Sequence, residues 1–151
     1  MTTAPVTALE VGTVVAEREV HLTRDSLVRY AGASGDFNPI HHEPEAARAA
    51  GYDDVVAPPT FAVVLQEATL AQLLAEPDAG IDFSRVVHGE QAFTYDRPIV
   101  AGDELTATLT VTSVKTLGGN AMVTAESTMN DAAGEHVVTA TSTLVVRGDD
   151  A

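Results

Sequence analysis

Residues Thr60-Phe61-Ala62-Val63-Val64-Leu65-Gln66-Glu67-Ala68-Thr69-Leu70-Ala71-Gln72-Leu73-Leu74 decide the architecture. The first half of this stretch is apolar on nearly every side, and a helix of that kind is wrapped by other structure. Ala57-Pro58-Pro59 precedes it. Neither proline can sit inside a helix, but either can begin one. The stretch predicts a central helix starting near Thr60, with a sheet around it.

Downstream of that helix the chain reads as strands. Val86–Arg97, Glu104–Lys115, Ala121–Asn130 and His136–Arg147 each carry Val, Thr, Leu or aromatic residues in rough alternation. Leu117-Gly118-Gly119-Asn120 and Asp131-Ala132-Ala133-Gly134 are hairpin turn signals, and Ala101-Gly102-Asp103 makes a shorter connection. Upstream, Val14 to Leu22 alternates apart from Arg18, with Val14, Ala16, Val20 and Leu22 on one face. Thr23 suits a helix N-cap with Asp25 in the first turn, and Leu27, Tyr30 and Ala31 recur at helical spacing. Ser34-Gly35-Asp36 ends that helix. Glu43-Pro44 opens a second, short one, with Gly51 at its C-cap. The order predicts an α+β fold, an antiparallel sheet rolled around one apolar helix. Such a sheet leaves long edges, and dimerisation covers edges of that kind.

The 151 residues fit one domain, residues 1–151. With no cysteine, disulfides, thiolate metal sites and cysteine nucleophiles are excluded. No run of 18 apolar residues exists to span a membrane. Met1 to Glu10 lacks the basic and apolar regions of a secretory signal, so the expected location is the cytoplasm. Termini at Met1–Thr7 and Gly148–Ala151 are expected to fray. A net charge of −14 repels phosphate backbones and argues against nucleic-acid binding. It also raises a question about anionic thioester carriers. They would need a local basic patch from Arg18, Arg24, Arg29, Arg48, Arg85, Arg97, Lys115 and Arg147.

Chemistry concentrates in Tyr30-Ala31-Gly32-Ala33-Ser34-Gly35-Asp36-Phe37-Asn38-Pro39-Ile40-His41. Asn38-Pro39 disfavours a continuous helix, so a turn can bring the Asp36 carboxylate and the His41 imidazole into one cavity. On residue types alone, Asp36 reads more readily as a turn former, and a lone histidine is usually solvated or satisfied.

The whole string resembles the hydratase motif of the MaoC-like dehydratase family, the (R)-specific enoyl-thioester hydratases of hot-dog fold. That pattern runs aromatic-Ala, Ser-Gly-Asp, one residue, Asn-Pro, an aliphatic residue, His; every position is matched. Arg97-Pro98-Ile99-Val100-Ala101-Gly102-Asp103-Glu104-Leu105 is similar to the family's later strand-turn-strand segment. The resemblance implies hydration of an enoyl-CoA or enoyl-acyl-carrier-protein thioester, without a cofactor. Asp36 and His41 would share the water and its proton. Asn38, Ser34 and Gly35 would support the loop. The family stabilises the enolate with a backbone N–H at the start of the central helix. There this chain departs: Pro58-Pro59 stands where His-Gly is usual, leaving Thr60 N–H as the next donor. Ala57-Pro58-Pro59-Thr60-Phe61 resembles the N-terminal-type branch, which includes non-catalytic partner subunits of fatty-acid dehydratases. A homodimer, or a heterodimer with a homologous subunit, is the implied assembly.

Glu67 is a candidate base or nucleophile by similarity to hot-dog acyl-CoA thioesterases, but reads better as a partly exposed helix residue beside Gln66. His42 is expected to point away from the site, and His88 to be structural. His21, His42, His88 and His136 lack metal-ligand spacing, so no metal is expected.

Overall fold

The computed structural model describes residues 11, 12, 14–75 and 81–148; the fraying expected of Met1–Thr7 and past Gly148 falls outside them. Strand β1 (Val14–His21) leads into α1 (Arg24–Ala33), a short α2 (Pro44–Ala49) and the central α3 (Ala62–Ala75). Then come β2 (Val86–Tyr95), β3 (Glu104–Leu117), β4 (Asn120–Asn130) and β5 (His136–Val146). The strands form one antiparallel sheet in the order β1-β3-β4-β5-β2. β2 therefore sits at the far edge, paired with β5 and not with the strand that follows it. Gly118 and Gly119, at φ of 60° and 83°, make the two-residue turn between β3 and β4, a conformation that favours glycine.

Alternation explains the sheet's inner face. Leu105, Ala107, Leu109 and Val111 of β3, with Ala121, Val123, Ala125 and Met129 of β4, are buried against α3 and its neighbours. Each buried leucine contributes about 1.5–3 kcal/mol relative to exposure. On α3 the buried residues are Ala62, Leu65, Gln66, Thr69, Leu70 and Leu73, one helical stripe.

Some expectations need correction. The helix does not begin regularly at Thr60: a 3-10 turn, Pro59–Phe61, precedes α3. Pro58 is extended, with ψ 145°, and the Phe61 N–H closes the turn on the Pro58 carbonyl at 2.9 Å. The wrapping of the helix is one-sided, for Val64 stays 43% exposed and Glu67 is exposed beside it. Five strands cover the inward stripe only. Val14, placed on the apolar face by alternation, is 60% exposed, because a register shift between Val14 and Ala16 turns it outward. The β2 strand stops at Tyr95, where Asp96 and Arg97 turn to donate their N–H groups to the Val137 carbonyl.

A polar belt divides the interior into two apolar clusters. Gln66 is fully buried between Leu65 of one cluster and Leu70 of the other. Its Nε2 donates to the carbonyl of Ala140 at 2.9 Å, and its Oε1 accepts from Gln91 Nε2 at 2.8 Å and Ser142 Oγ at 2.7 Å. Thr69 Oγ1 donates to the Gln66 carbonyl at 2.8 Å and lies 3.1 Å from Ser127 Oγ. Among the described residues, no helix is long and apolar enough to cross a membrane.

Candidate active site

The end of α1 builds the loop that carries Asp36. Thr23 caps the start of α1, its Oγ1 accepting from Ser26 N–H at 3.2 Å. At the other end Ser34 is the C-cap and Gly35 follows at φ 77°. Gly35 N–H bonds the Gly32 carbonyl at 3.2 Å, and Asp36 N–H bonds the Ala31 carbonyl at 2.9 Å. That is the Schellman arrangement, which needs glycine at the left-handed position and fixes the residue after it. Ser34 Oγ adds a bond to the Ala31 carbonyl at 3.2 Å. Ser34 and Gly35 thus aim Asp36 through the backbone.

A second set of local bonds brings His41 back toward it. Asp36 Oδ1 accepts Asn38 N–H at 3.2 Å, and Asn38 Oδ1 accepts Ile40 N–H at 3.2 Å. Asn38 caps a 3-10 turn, Pro39–His41, with Pro39 at its first position. His41 lands 6% exposed, its Nε2 3.2 Å from Asp36 Oδ2. Its Nδ1 lies 2.6 Å from the Val56 carbonyl oxygen. A carbonyl only accepts, so Nδ1 carries the proton. Val56 is itself held: its N–H bonds the Ile40 carbonyl at 3.0 Å, and it bridges Val100.

With Nδ1–H committed, the Asp36–His41 pair holds one proton or none. Loaded, Nε2–H donates to Asp36 Oδ2, and 3.2 Å is at the long end of hydrogen-bond length. Unloaded, an imidazole lone pair and a carboxylate face each other as two acceptors. A group that donates two hydrogens fits that state.

His41 opens onto a cavity of about 480 Å³, whose walls include Ile40, Val56, Pro59, Tyr95 and Arg97. Tyr95 OH donates to the Pro59 carbonyl. Burial pushes the Tyr95 phenol up to about 12; the Ala62 N–H opposes this and nearby Tyr30 adds to it. The phenol therefore stays neutral and keeps its donor. On the other side of the same turn, Tyr30 OH lies 2.7 Å from Thr60 Oγ1, and the Tyr30 ring meets Phe61 edge-on at 5.2 Å. Thr60 itself is exposed.

Sequence reasoning missed several participants. His42 does turn from the Asp36 carboxylate, yet its Nε2 donates to the Asp36 carbonyl at 2.6 Å while Phe37 stacks on its ring at 6.0 Å. Tyr95, Val56 and the Asp96–His136 pair at 2.6 Å come from distant chain positions, and no local pattern marks them. Glu67 lies on the exposed side of α3. His88 lies exposed on the β2 edge, its Nε2 3.1 Å from the Glu90 carbonyl. No group of three His, Cys, Asp or Glu suited to a metal ion occurs among the described residues. The cations weighed as a basic patch are partly spoken for. Arg24 and Arg48 share Asp54, Arg29 faces Asp25, Arg85 faces Asp82, and Arg97 binds Asp103 and Asp131.

Comparison with known proteins places the chain in a family. The family model described as FAS1-like, dehydratase domain region, matches residues 10–140. A UPF0336 protein of Clavibacter michiganensis is 73% identical over 128 residues, covering 85% of this chain and 86% of that one. Among solved structures, the C-terminally truncated HadBC (3R-hydroxyacyl-ACP dehydratase) complex of Mycobacterium tuberculosis is similar at 30% identity and a TM-score of 0.78. That match covers 85% of this chain and 90% of the other. The (R)-hydratase of A. caviae involved in PHA biosynthesis shares the fold, at 24% identity and a TM-score of 0.72 over 91% of this chain and 96% of that one.

Proposed function

Because the chain belongs to the FAS1-like dehydratase-domain family and has the hot-dog fold of MaoC-like dehydratases and hydratases, we propose that it is an (R)-specific enoyl-thioester hydratase. In the opposite direction it is a 3-hydroxyacyl-thioester dehydratase. The substrate is an acyl-CoA or acyl-carrier-protein thioester of fatty-acid metabolism. One observation carries the reading: His41 spends its Nδ1–H on Val56, so its Nε2 and Asp36 Oδ2 face one point with at most one proton between them.

Hydration begins from the unloaded pair. Water donates one hydrogen to His41 Nε2 and one to Asp36 Oδ2, which leaves its lone pairs toward the β-carbon of the enoyl thioester. As the water oxygen bonds that carbon, the pair takes one proton; the α-carbon then takes one back on the same face. Atoms balance, and the pair returns unloaded. Dehydration runs the same steps in reverse.

The test is hydration of crotonyl-CoA, followed by loss of the enoyl absorbance. Asp36→Asn and His41→Ala should each lower kcat by about 10²–10⁴, the range for a positioned acid or base. Unchanged rates in both variants would falsify the assignment of the pair. An (S)-3-hydroxy product would remove the stereochemical part alone.

A second reading has its own observations. Pro58-Pro59 withholds backbone donors, the similar HadBC protein is a complex of two different chains, and the Arg side chains near the site are matched by carboxylates. On that reading the chain is the substrate-holding subunit of a heterodimer whose other member supplies positive charge for the carrier. β2 is an edge strand that exposes Val87 and offers a place to add a homologous sheet. Activity of the purified chain alone, with a homodimer in sedimentation, removes this reading. Activity only after co-expression with a homologous subunit supports it.

A further inference from the structure

Asp36 has an N–H, a carbonyl and two carboxylate oxygens to place, and the loop ties down all but one of them. Its N–H bonds the Ala31 carbonyl at 2.9 Å, its Oδ1 accepts the Asn38 N–H at 3.2 Å, and its carbonyl oxygen lies 2.6 Å from His42 Nε2. Oδ2 is left to face His41 Nε2 at 3.2 Å. Main-chain atoms partner the N–H and Oδ1, whereas a side chain partners the carbonyl. That side chain, His42, lies outside the walls of the cavity onto which His41 opens.

We propose that His42 is a positioning residue that sets the separation of the Asp36 carboxylate and the His41 imidazole. Its effect on turnover rests on the hydratase reading above; its effect on the pair's geometry does not. A carbonyl only accepts, so His42 Nε2 carries a hydrogen. His41 is bound the other way round, with Nδ1–H on the Val56 carbonyl. The two adjacent rings are therefore held through opposite nitrogens. Val56 aims the His41 ring, and the His42 ring holds the backbone from which the Asp36 carboxylate extends.

The main chain makes His42 a strut between the two members of the pair. Its N–H bonds the Pro39 carbonyl at 3.0 Å and caps the 3-10 turn Pro39–His41, so its backbone is fixed in the turn that carries His41. Its ring reaches back six residues to Asp36. The loop from Asp36 to His42 is thus closed across its ends, and the gap between Asp36 and His41 lies inside it. At 3.2 Å that contact is already at the long end of hydrogen-bond length, so a small drift of the Asp36 backbone separates the pair. Phe37 covers the half-buried His42 ring, the two planes 21° apart and the centroids 6.0 Å apart. Phe37 is itself 73% exposed, so it stands between the ring and solvent. Water, the competitor for the Asp36 carbonyl, is kept from that side of the bond.

Rates and ring-nitrogen NMR on the full chain test this. His42→Phe keeps a ring under Phe37 and removes the donor, and His42→Ala removes both. His42→Gln restores an N–H donor the same number of bonds from Cβ. His42→Phe and His42→Ala should lower kcat for crotonyl-CoA about tenfold, short of the roughly 10²-fold cost of a displacement of about 1 Å, with KM changed less than about threefold. His42→Gln should return kcat to within about threefold of the original. The His41 Nε2 resonance reports the Asp36 contact without turnover. It should move in His42→Phe toward its value in Asp36→Ala, and stay near the original in His42→Gln. The His42 ring of the wild-type chain should carry a proton on Nε2. A bare His42 Nε2, or an unmoved His41 resonance in His42→Phe and His42→Ala, overturns the inference whether or not the chain is active. So does an unchanged kcat in those two variants of an active chain. A wild-type chain inactive both alone and with a homologous subunit, in which the His41 resonance does respond to His42→Phe, removes the hydratase reading alone.

Discussion

Two polar clusters touch the segment from Pro59 to Leu70, and they differ in whether their hydrogen bonds close. On the sheet side, Gln66 donates to Ala140, accepts from Gln91 and Ser142, and passes its carbonyl to Thr69. Every donor there has an acceptor, and no buried side-chain polar atom among the described residues lacks a partner. Beside the first turn, His41 commits Nδ1–H to the Val56 carbonyl and sets Nε2 3.2 Å from Asp36 Oδ2, at the long end of hydrogen-bond length. The closed cluster lies in the dry interior, while the open one faces a cavity. A satisfied buried network fixes the packing of α3 on the sheet. On the hydratase reading, the pair beside the cavity is where substrate water would take up the remaining hydrogen-bonding capacity. The comparison predicts opposite signatures: the open cluster governs rate and the closed one governs stability.

The largest effect that can break this division is the double variant Asp36→Asn/His41→Ala. If the two residues hold one proton as a unit, the double variant loses no more rate than the worse single variant, a total of about 10²–10⁴. Asp36→Asn by itself should keep Tm within about 3 °C of the original, because the Asp36 side chain is 37% exposed. Additive losses in ΔΔG‡ would mean two independent groups. A large fall in Tm would mean that the loop needs the pair to fold.

Gln66→Leu probes the other side. It removes the acceptor of Gln91 Nε2 and the donor to the Ala140 carbonyl, while Ser142 Oγ keeps Gln91 Oε1 at 2.5 Å. With about 1–3 kcal/mol for each unsatisfied group and partial rearrangement, a net loss of about 3 kcal/mol is expected, or roughly 6–12 °C in Tm. The folded fraction should keep its kcat for crotonyl-CoA. Thermal melts and rates on the same preparation decide this. A rate loss without a stability loss would join Gln66 to the chemistry and erase the contrast.

The two clusters also differ in how legible they are in the sequence. The open one was readable because its geometry is local. Gly35 at the left-handed position, Asn38 capping the next turn and Pro39 at its start are all within six residues of Asp36. The closed one was not readable. Gln66 looks like a surface residue beside Glu67, and only pairing with β4 and β5, more than fifty residues away, buries it. The same limit hid Tyr95 and Val56, which reach the site through the sheet and an isolated bridge. Strand content was plain from alternation, but the placement of β2 beside β5 is a topological fact that alternation does not contain. Val14 shows the local version of this limit, since one bulge reverses its face.

The smallest effect sharpens the comparison at the surface, where a third cluster closes. Asp54 accepts both Arg24 Nε at 2.9 Å and Arg24 Nη2 at 2.7 Å, and its Oδ1 also accepts Val55 N–H at 2.7 Å. The Arg24 hydrogen bond, aided by Val55 and the charges of Arg24 and Arg48 against some burial, holds the Asp54 carboxyl down at about 2. A folded-state value below the unfolded one contributes stability above the unfolded value, near 3.8, that is lost as pH falls toward 2. Asp54→Asn should therefore lower Tm slightly at pH 7, by roughly 1–3 °C for a solvent-screened pair. The gap between variant and original should narrow below pH 4 and vanish near pH 2, while kcat at neutral pH stays put. The measurement is Tm against pH from 2 to 7 for both proteins. A gap that widens in acid would reverse the sign of the linkage. A fall in neutral kcat would show that this closed cluster, which ties the start of α1 to the segment before Val55, reaches the open one through α1.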